Sequence, residues 1–528
     1  MPQSCPNLNE SRHYADLLSL PFTDLRRLLT AARVSAAEVP MAAGLHYNYA
    51  AMPVEERHLD LLQGLSDEFD LVGQYQRLLA GERMNVGENR RVLHHLTRGQ
   101  LGPAVMHDGR DLGAFYREQH QRIFTFAEQV HRGALRGSSG AAFTQVCQIG
   151  IGGSDLGPRA LYLALRQEAR RQGCQLMTAE FLSNVDPDDA DQVLARLDLA
   201  RTLFVLVSKS GTTQETLTNE TLVRAALRQQ GLDDRAHLVA VTSETSPLAG
   251  NSAYRDSFYM DDFVGGRFSS TSAVGAVVLS LAFGPAIFQA LLAGAHAQDA
   301  LALQPDIRHN ASLLDALLGV YLRNVLGYPC SAVLPYSQAL SRFPAHLQQL
   351  DMESNGKSVN RRGEPLPYAS GPIIFGEPGT NGQHSFYQLL HQGTDVVPLQ
   401  FIGFEQAQGQ RDLLVQDSTS QDKLNANLAA QLVAFAKGRA DENANRHFAG
   451  QRPASLIRGA RLTAEALGAL LAHFENKIMF QGFVWNINSF DQEGVQLGKV
   501  LTGQLLAGTA EDEALQAYGR LLGLRPPA

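Results

Sequence analysis

The stretch Gln145-Val146-Cys147-Gln148-Ile149-Gly150-Ile151-Gly152-Gly153-Ser154-Asp155 decides the fold. An uncharged, largely apolar run reads as a strand, and the glycines that close it mark a tight turn. Residues 158–171 then continue as an amphipathic helical segment. The same order returns downstream. Residues 177–182, 202–207 and 238–242 are strand-like, with a helical segment at 216–229. Strand, helix, strand at this spacing predicts a parallel sheet covered on both faces. The pattern resumes at 330–334, 372–375 and 396–402, so the chain reads as two α/β units in tandem. Residues up to about 110 read as helices, a helical connector falls near 286–321, and a last helical region includes 464–476.

Of 528 residues, 44% are hydrophobic and 19% charged, which allows a large core and excludes global disorder. The net charge of −8, from 45 basic and 53 acidic residues, argues against a general nucleic-acid binder. It leaves room for a local anion site, because such a site is an arrangement of donors. Cys5, Cys147, Cys174 and Cys330 form no C-x-x-C pair and read as ordinary thiols of a reducing compartment. Residues 1–10 are polar, without an apolar signal core, so a cytoplasmic protein is expected. Residues 271–295 lack Asp, Glu, Lys and Arg over a length that could span a bilayer. Gly284-Pro285 interrupts that run, and Ser269-Ser270-Thr271-Ser272 offers a helix cap before it. A buried helix pair is expected there, and no membrane.

Six segments carry candidate chemistry. The first is the glycine turn at 149–158, where Asp155 occupies the third glycine position of the dinucleotide fingerprint. The second, Ser208-Lys209-Ser210-Gly211-Thr212-Thr213-Gln214-Glu215-Thr216, follows a strand and opens a helix. Its hydroxyls, free amides and helix dipole suit a phosphate dianion. The third, Gly265-Gly266-Arg267-Phe268-Ser269-Ser270, could hold developing negative charge at its arginine or could be an ordinary ion-paired surface site. The fourth, Leu350-Asp351-Met352-Glu353-Ser354-Asn355-Gly356-Lys357, presents acids in a polar turn after a helix, as a base or as solvated caps. The fifth, residues 376–386, ends a glycine loop in His384. His391 lies seven residues on, but no third metal ligand joins the pair at convincing spacing. The sixth, residues 488–499, contains Gln492 and Lys499. Residues 81–95 read, taken alone, as a charged helix.

As a set, these segments closely resemble the glucose-6-phosphate isomerase (phosphoglucose isomerase) family, the two-SIS-domain type. Residues 265–270, 351–357, 376–384 and 491–499 stand in the family's order and spacing, and 81–93 also looks like a family segment. The resemblance implies two SIS-type (flavodoxin-like) αβα sandwiches: a smaller phosphate-binding one at 111–285 and a larger one at 286–510. It further implies an N-terminal helical arm at 1–110 packing on the second, and a C-terminal tail at 511–528. The implied reaction is reversible isomerisation of D-glucose 6-phosphate and D-fructose 6-phosphate, in glycolysis and gluconeogenesis. Glu353 would be the base, Arg267 would stabilise the enediolate, and His384 and Lys499 would assist ring opening. Ser154 would lie beside the sugar phosphate, Ser208, Lys209, Ser210 and Thr213 would cradle it with Thr216, and Gln492 would line the sugar site. A homodimer is implied, with His384 supplied across the interface, and neither metal nor other cofactor.

The chain departs from the family pattern at Ser210-Gly211, where many members carry Thr-Phe, at Glu493, where Trp is frequent, and in its short tail. Two other readings share the motifs. A bifunctional glucose/mannose-phosphate isomerase would differ only in stereochemistry at C2. A phosphosugar sensor would bind without turnover.

Overall fold

The computed structural model describes residues 6–524; Cys5 and residues 525–527 lie outside them. In chain order the strands are β1 (Glu38–Pro40), β2 (His46–Ala51), β3 (Met106–His107), β4 (Arg110–Asp111), β5 (Gln145–Ile149), β6 (Thr178–Leu182), β7 (Thr202–Val207), β8 (Leu238–Ser243), β9 (Ser257–Met260), β10 (Cys330–Tyr336), β11 (Ile373–Phe375), β12 (Leu399–Phe404) and β13 (Ala454–Gly459).

The first large sheet has the order β6-β5-β7-β8-β9, with every pair parallel. All six residues of β7 are buried, as a parallel strand with helices on both faces requires. The chain leaves β5 outward to β6, then crosses back to β7 on the other side. That reversal opens a crevice outside the carboxyl ends of β5 and β7.

The second sheet has the order β1-β2-β13-β12-β10-β11. β10 to β13 are parallel, and β2 joins β13 antiparallel. The two SIS-type parallel sheets expected from the sequence are therefore both present. Five short strands, β1, β2, β3, β4 and β9, were not expected. β1 and β2 lie in the region read as purely helical, alongside the helices Arg12–Ser19, Glu56–Glu68 and Leu71–Leu79. β9 is a four-residue edge strand next to charged residues, too short to register as an apolar run. β13 was also missed, although it is central. Residues 81–95 form turns and an Asn85–Arg90 bridge rather than a charged helix.

The uncharged run forms two helices, Ala273–Phe283 and Pro285–Leu301, broken at Gly284-Pro285. Ser272 caps the first through the Val274 amide. The window Gly266–Phe283 is apolar enough to cross a membrane by length and composition, yet 94% of it is buried inside the protein. The second of these helices packs along the helix Ala464–Val484. Between them the Arg98 guanidinium, with no exposed side-chain surface, binds Asp299 at 3.0 Å and also contacts Glu475. A buried cation of this kind is stable only when paired and hydrogen-bonded.

The chain up to Ser489 makes one compact unit, and the residues from Phe490 make a second. In the second, the helices Gln496–Leu506 and Glu513–Leu521 pair, with Leu505 lying over Gly519.

Candidate active site

Backbone contact assembles the site. After β5 the turn Gly152–Ser154 carries Gly152 at φ +61°. A Cβ on Gly153 would stand 2.2 Å from the Gly266 carbonyl carbon and oxygen. Only a residue without a side chain permits that approach. It seats the first glycine turn directly against Gly266–Thr271, the turn that carries Arg267. Ser154 is half-buried; its carbonyl accepts from Gln148 Nε2 at 2.7 Å.

The hydroxyl loop leaves β7 in the same crevice. Ser208 is buried; its Oγ lies 3.1 Å from Thr213 Oγ1 and accepts from the Gly211 amide at 3.1 Å. Ser210 accepts from the Thr212 amide and hydroxyl. Gly211 has φ +69°, and a Cβ there would fall 2.2 Å from Ser246 Oγ. This loop conformation therefore calls for glycine. Thr213 precedes the 16-residue helix Gln214–Gln229, whose first-turn amides have no intrahelical acceptor. Lys209 sends its ammonium to the Val264 carbonyl at 3.5 Å, beside the Arg267 turn. Burial pushes that ammonium below the usual lysine range, against the opposing pull of Asp262. Thr216 is buried, and its hydroxyl has no hydrogen-bond partner among the described residues.

Arg267 is not the surface arginine its sequence context allowed. Its side chain is 1% exposed. Nε donates to Ser354 Oγ at 2.7 Å, Nη2 donates to the Ser489 carbonyl at 2.6 Å, and Nη1 stands 3.6 Å from Glu353 Oε2. Glu353 lies at the end of a π-helical turn, Gln349–Glu353, that extends the helix Phe343–Gln348. The polar turn expected here is thus helical. Ser354 and Asn355 lock it: Asn355 donates to the Ile478 carbonyl at 3.1 Å and accepts from Ser489 Oγ at 2.7 Å. Glu353 keeps 22% of its side chain exposed. Asp351, two residues earlier, is buried, and burial raises its carboxyl to about 7. The two acids of the motif are thereby separated: one reaches solvent beside a cation, the other is enclosed.

His384 is exposed and makes no hydrogen bond or ion pair among the described residues. Its neighbour Gln383 anchors the loop, donating to Tyr336 OH at 2.9 Å and to Asn427. His391 is not its metal-binding companion. It stacks on Phe435 with ring centroids 3.7 Å apart and meets Gln431 at 2.9 Å. Gln492 and Lys499 belong to the second compact unit, Gln492 half-buried and Lys499 exposed on the helix Gln496–Leu506. Sequence reading missed Ser489 and the clamping roles of Ser354 and Asn355. No local signal marks them, because their partners lie 87 to 222 residues away.

Two sheets built on parallel strands, a hydroxyl-rich helix-opening loop at a switch point, and a buried arginine beside an accessible carboxylate define an α/β enzyme of the isomerase class. Comparison with known proteins makes the assignment specific. Residues 48–519 match the phosphoglucose isomerase family model. The glucose-6-phosphate isomerase of Treponema denticola is 60% identical over 490 residues, covering 93% of this chain and 92% of that protein. The enzyme of the same name from Treponema pallidum is 58% identical over 526 residues, 98% of each chain. A crystal structure of a glucose-6-phosphate isomerase from Chlamydia trachomatis superposes with a TM-score of 0.92 at 42% identity, covering 98% of this chain and 99% of that one. The chain belongs to the phosphoglucose isomerase family.

Proposed function

We propose that the chain interconverts D-glucose 6-phosphate and D-fructose 6-phosphate in glycolysis and gluconeogenesis, in the cytoplasm. The observation that carries this reading is the buried Arg267 guanidinium held 3.6 Å from Glu353, on a turn packed against the glycine turn of β5. In the forward direction Glu353 takes the proton from C2 of the open-chain aldose, and the electron pair moves toward the C1 carbonyl oxygen. The resulting cis-enediolate carries negative charge that Arg267, already fixed by Ser354 and Ser489, stabilises without reorganising. A proton passes from the C2 hydroxyl to the C1 oxygen, and Glu353 returns its proton to C1 as the C2 carbonyl forms. Nothing is consumed, so the scheme balances without an oxidant.

Ser208, Ser210, Thr213 and the backbone of Lys209 cradle the phosphate, with Ser154 beside it and Thr216 completing the first helical turn. Binding energy from the phosphate positions carbons remote from it. His384 and Lys499 open the sugar ring by proton transfer, and Gln492 lines the sugar. His384 acts in the neighbouring subunit of a homodimer; its exposure and its side chain's lack of partners among the described residues support this. The exposed Leu413, Leu414 and Val415 support a subunit contact as well. Residues 111–285 form the phosphate-binding unit and 286–510 the larger unit with Glu353 and His384, with 1–110 as an arm on the latter and 511–528 as a tail. The direct test follows glucose 6-phosphate formation from fructose 6-phosphate with a coupled dehydrogenase. Binding without product would favour the sensor reading.

A further inference from the structure

The second sheet repeats the topology that builds the phosphate crevice in the first. The chain runs from β10 outward to β11, then returns on the other side of β10 to form β12. Its switch point lies between β10 and β12, as that of the first sheet lies between β5 and β7. Open α/β sheets bind ligands outside the carboxyl ends of the strands at such a point. A cavity of about 370 Å³ opens there, lined by residues that follow β10 and β12 and by the helix Leu156–Gln172. Small-molecule sites span roughly 300–1,000 Å³.

The lining chemistry is selective. It contains five glutamines, two serines, one tyrosine and Arg166, and no carboxylate. Arg166 makes no ion pair among the described residues. The Gln406 side-chain oxygen accepts from Arg461 Nη2 at 2.7 Å, which leaves its amide hydrogens to be donated. Gln408 is buried and rigid, donating to the Ala164 carbonyl at 2.8 Å and the Leu462 carbonyl at 2.9 Å. It pins the loop after β12 to the helix that carries Arg166. Amides that both donate and accept match vicinal hydroxyls, and an unpaired guanidinium without neighbouring acids matches an anionic group.

We infer that this cavity is a second binding site for a polyhydroxylated anion of hexose size. The anion is a sugar phosphate or a sugar acid. The cavity lining holds no base, so the site binds without turning its ligand over.

The test is equilibrium dialysis of the intact protein into the millimolar range. The probes are glucose 6-phosphate, 6-phosphogluconate, gluconate and inorganic phosphate. Two molecules of glucose 6-phosphate or 6-phosphogluconate per chain are expected. Arg166→Glu and Gln406→Leu should each weaken one of the two by about tenfold or more, with turnover unchanged. A Ser208→Ala/Thr213→Val variant should keep the Arg166-dependent molecule. If it keeps both, the cradle assignment fails while this site stands. Occupancy by gluconate assigns a carboxylate ligand, and occupancy by glucose 6-phosphate but not gluconate assigns a phosphate ligand; either supports the site. One molecule per chain for every sugar probe overturns the inference. So does a second molecule indifferent to both substitutions, or one that inorganic phosphate replaces equally well.

Discussion

Replacing Asp351 by Asn should stabilise the protein above neutral pH and leave it nearly unchanged in mild acid. The Asp351 carboxyl is buried within the turn that carries Glu353, and one of its oxygens lacks a hydrogen-bond partner among the described residues. Burial raises it from 3.8 to about 7, although Lys477 pulls it down and Asp315 pushes it further up. Below the unfolded value both states hold the proton, so ionisation contributes nothing to stability. Between the two values only the folded state keeps the proton, so stability falls as pH rises. Above about 7 the folded protein carries the full cost of a buried charge. The shift of about three units, at about 1.4 kcal/mol each, sets this cost at about 4 kcal/mol. The amide of the variant has similar shape and nothing to ionise. The stability difference between the variant and the wild type should therefore grow by about 4 kcal/mol from pH 4 to pH 8. Urea unfolding at both pH values, with thermal midpoints in parallel, reads it. A difference independent of pH, or one that shrinks as pH rises, would refute the reasoning.

Gly153→Ala forces a methyl within 2.2 Å of the Gly266 carbonyl. It should destabilise the fold by about 1–3 kcal/mol and lower kcat more than it raises KM, measured by thermal unfolding and steady-state assay. If His384 acts across a dimer interface, Glu353→Gln and His384→Ala chains should be inactive separately. Unfolded together and refolded as a mixture, they should regain about a quarter of wild-type activity, because half the dimers carry one complete site.

The first sheet was legible because β7 and β8 are near-continuous apolar runs, and β5 an uncharged, largely apolar one, as a doubly covered parallel sheet imposes. The Gly284-Pro285 break was legible for the same local reason. β2 was not: His46-Tyr47-Asn48-Tyr49 alternates polar and apolar residues at the outer part of a sheet, and its partner β13 lies about 400 residues away. The glycines of 152–153 announced a turn, but not that Gly153 would meet Gly266. Asp351 and Glu353 looked equivalent in sequence, since burial alone tells them apart. The arginine at 267 had two readings until Ser354 and Ser489 were seen to hold it. Gly211 stood out in the sequence only as a departure from the family pattern; its positive φ and the Ser246 side chain behind it make glycine the fitting residue.

The measurement closest to the central claim is turnover of Glu353→Gln set against its affinity for glucose 6-phosphate. The amide keeps the size of the side chain on its locked turn and removes the proposed base. Turnover should fall by about three orders of magnitude or more, while the Kd for glucose 6-phosphate stays within a few-fold of wild type. Turnover near the wild-type rate in a folded Glu353→Gln protein would contradict the account.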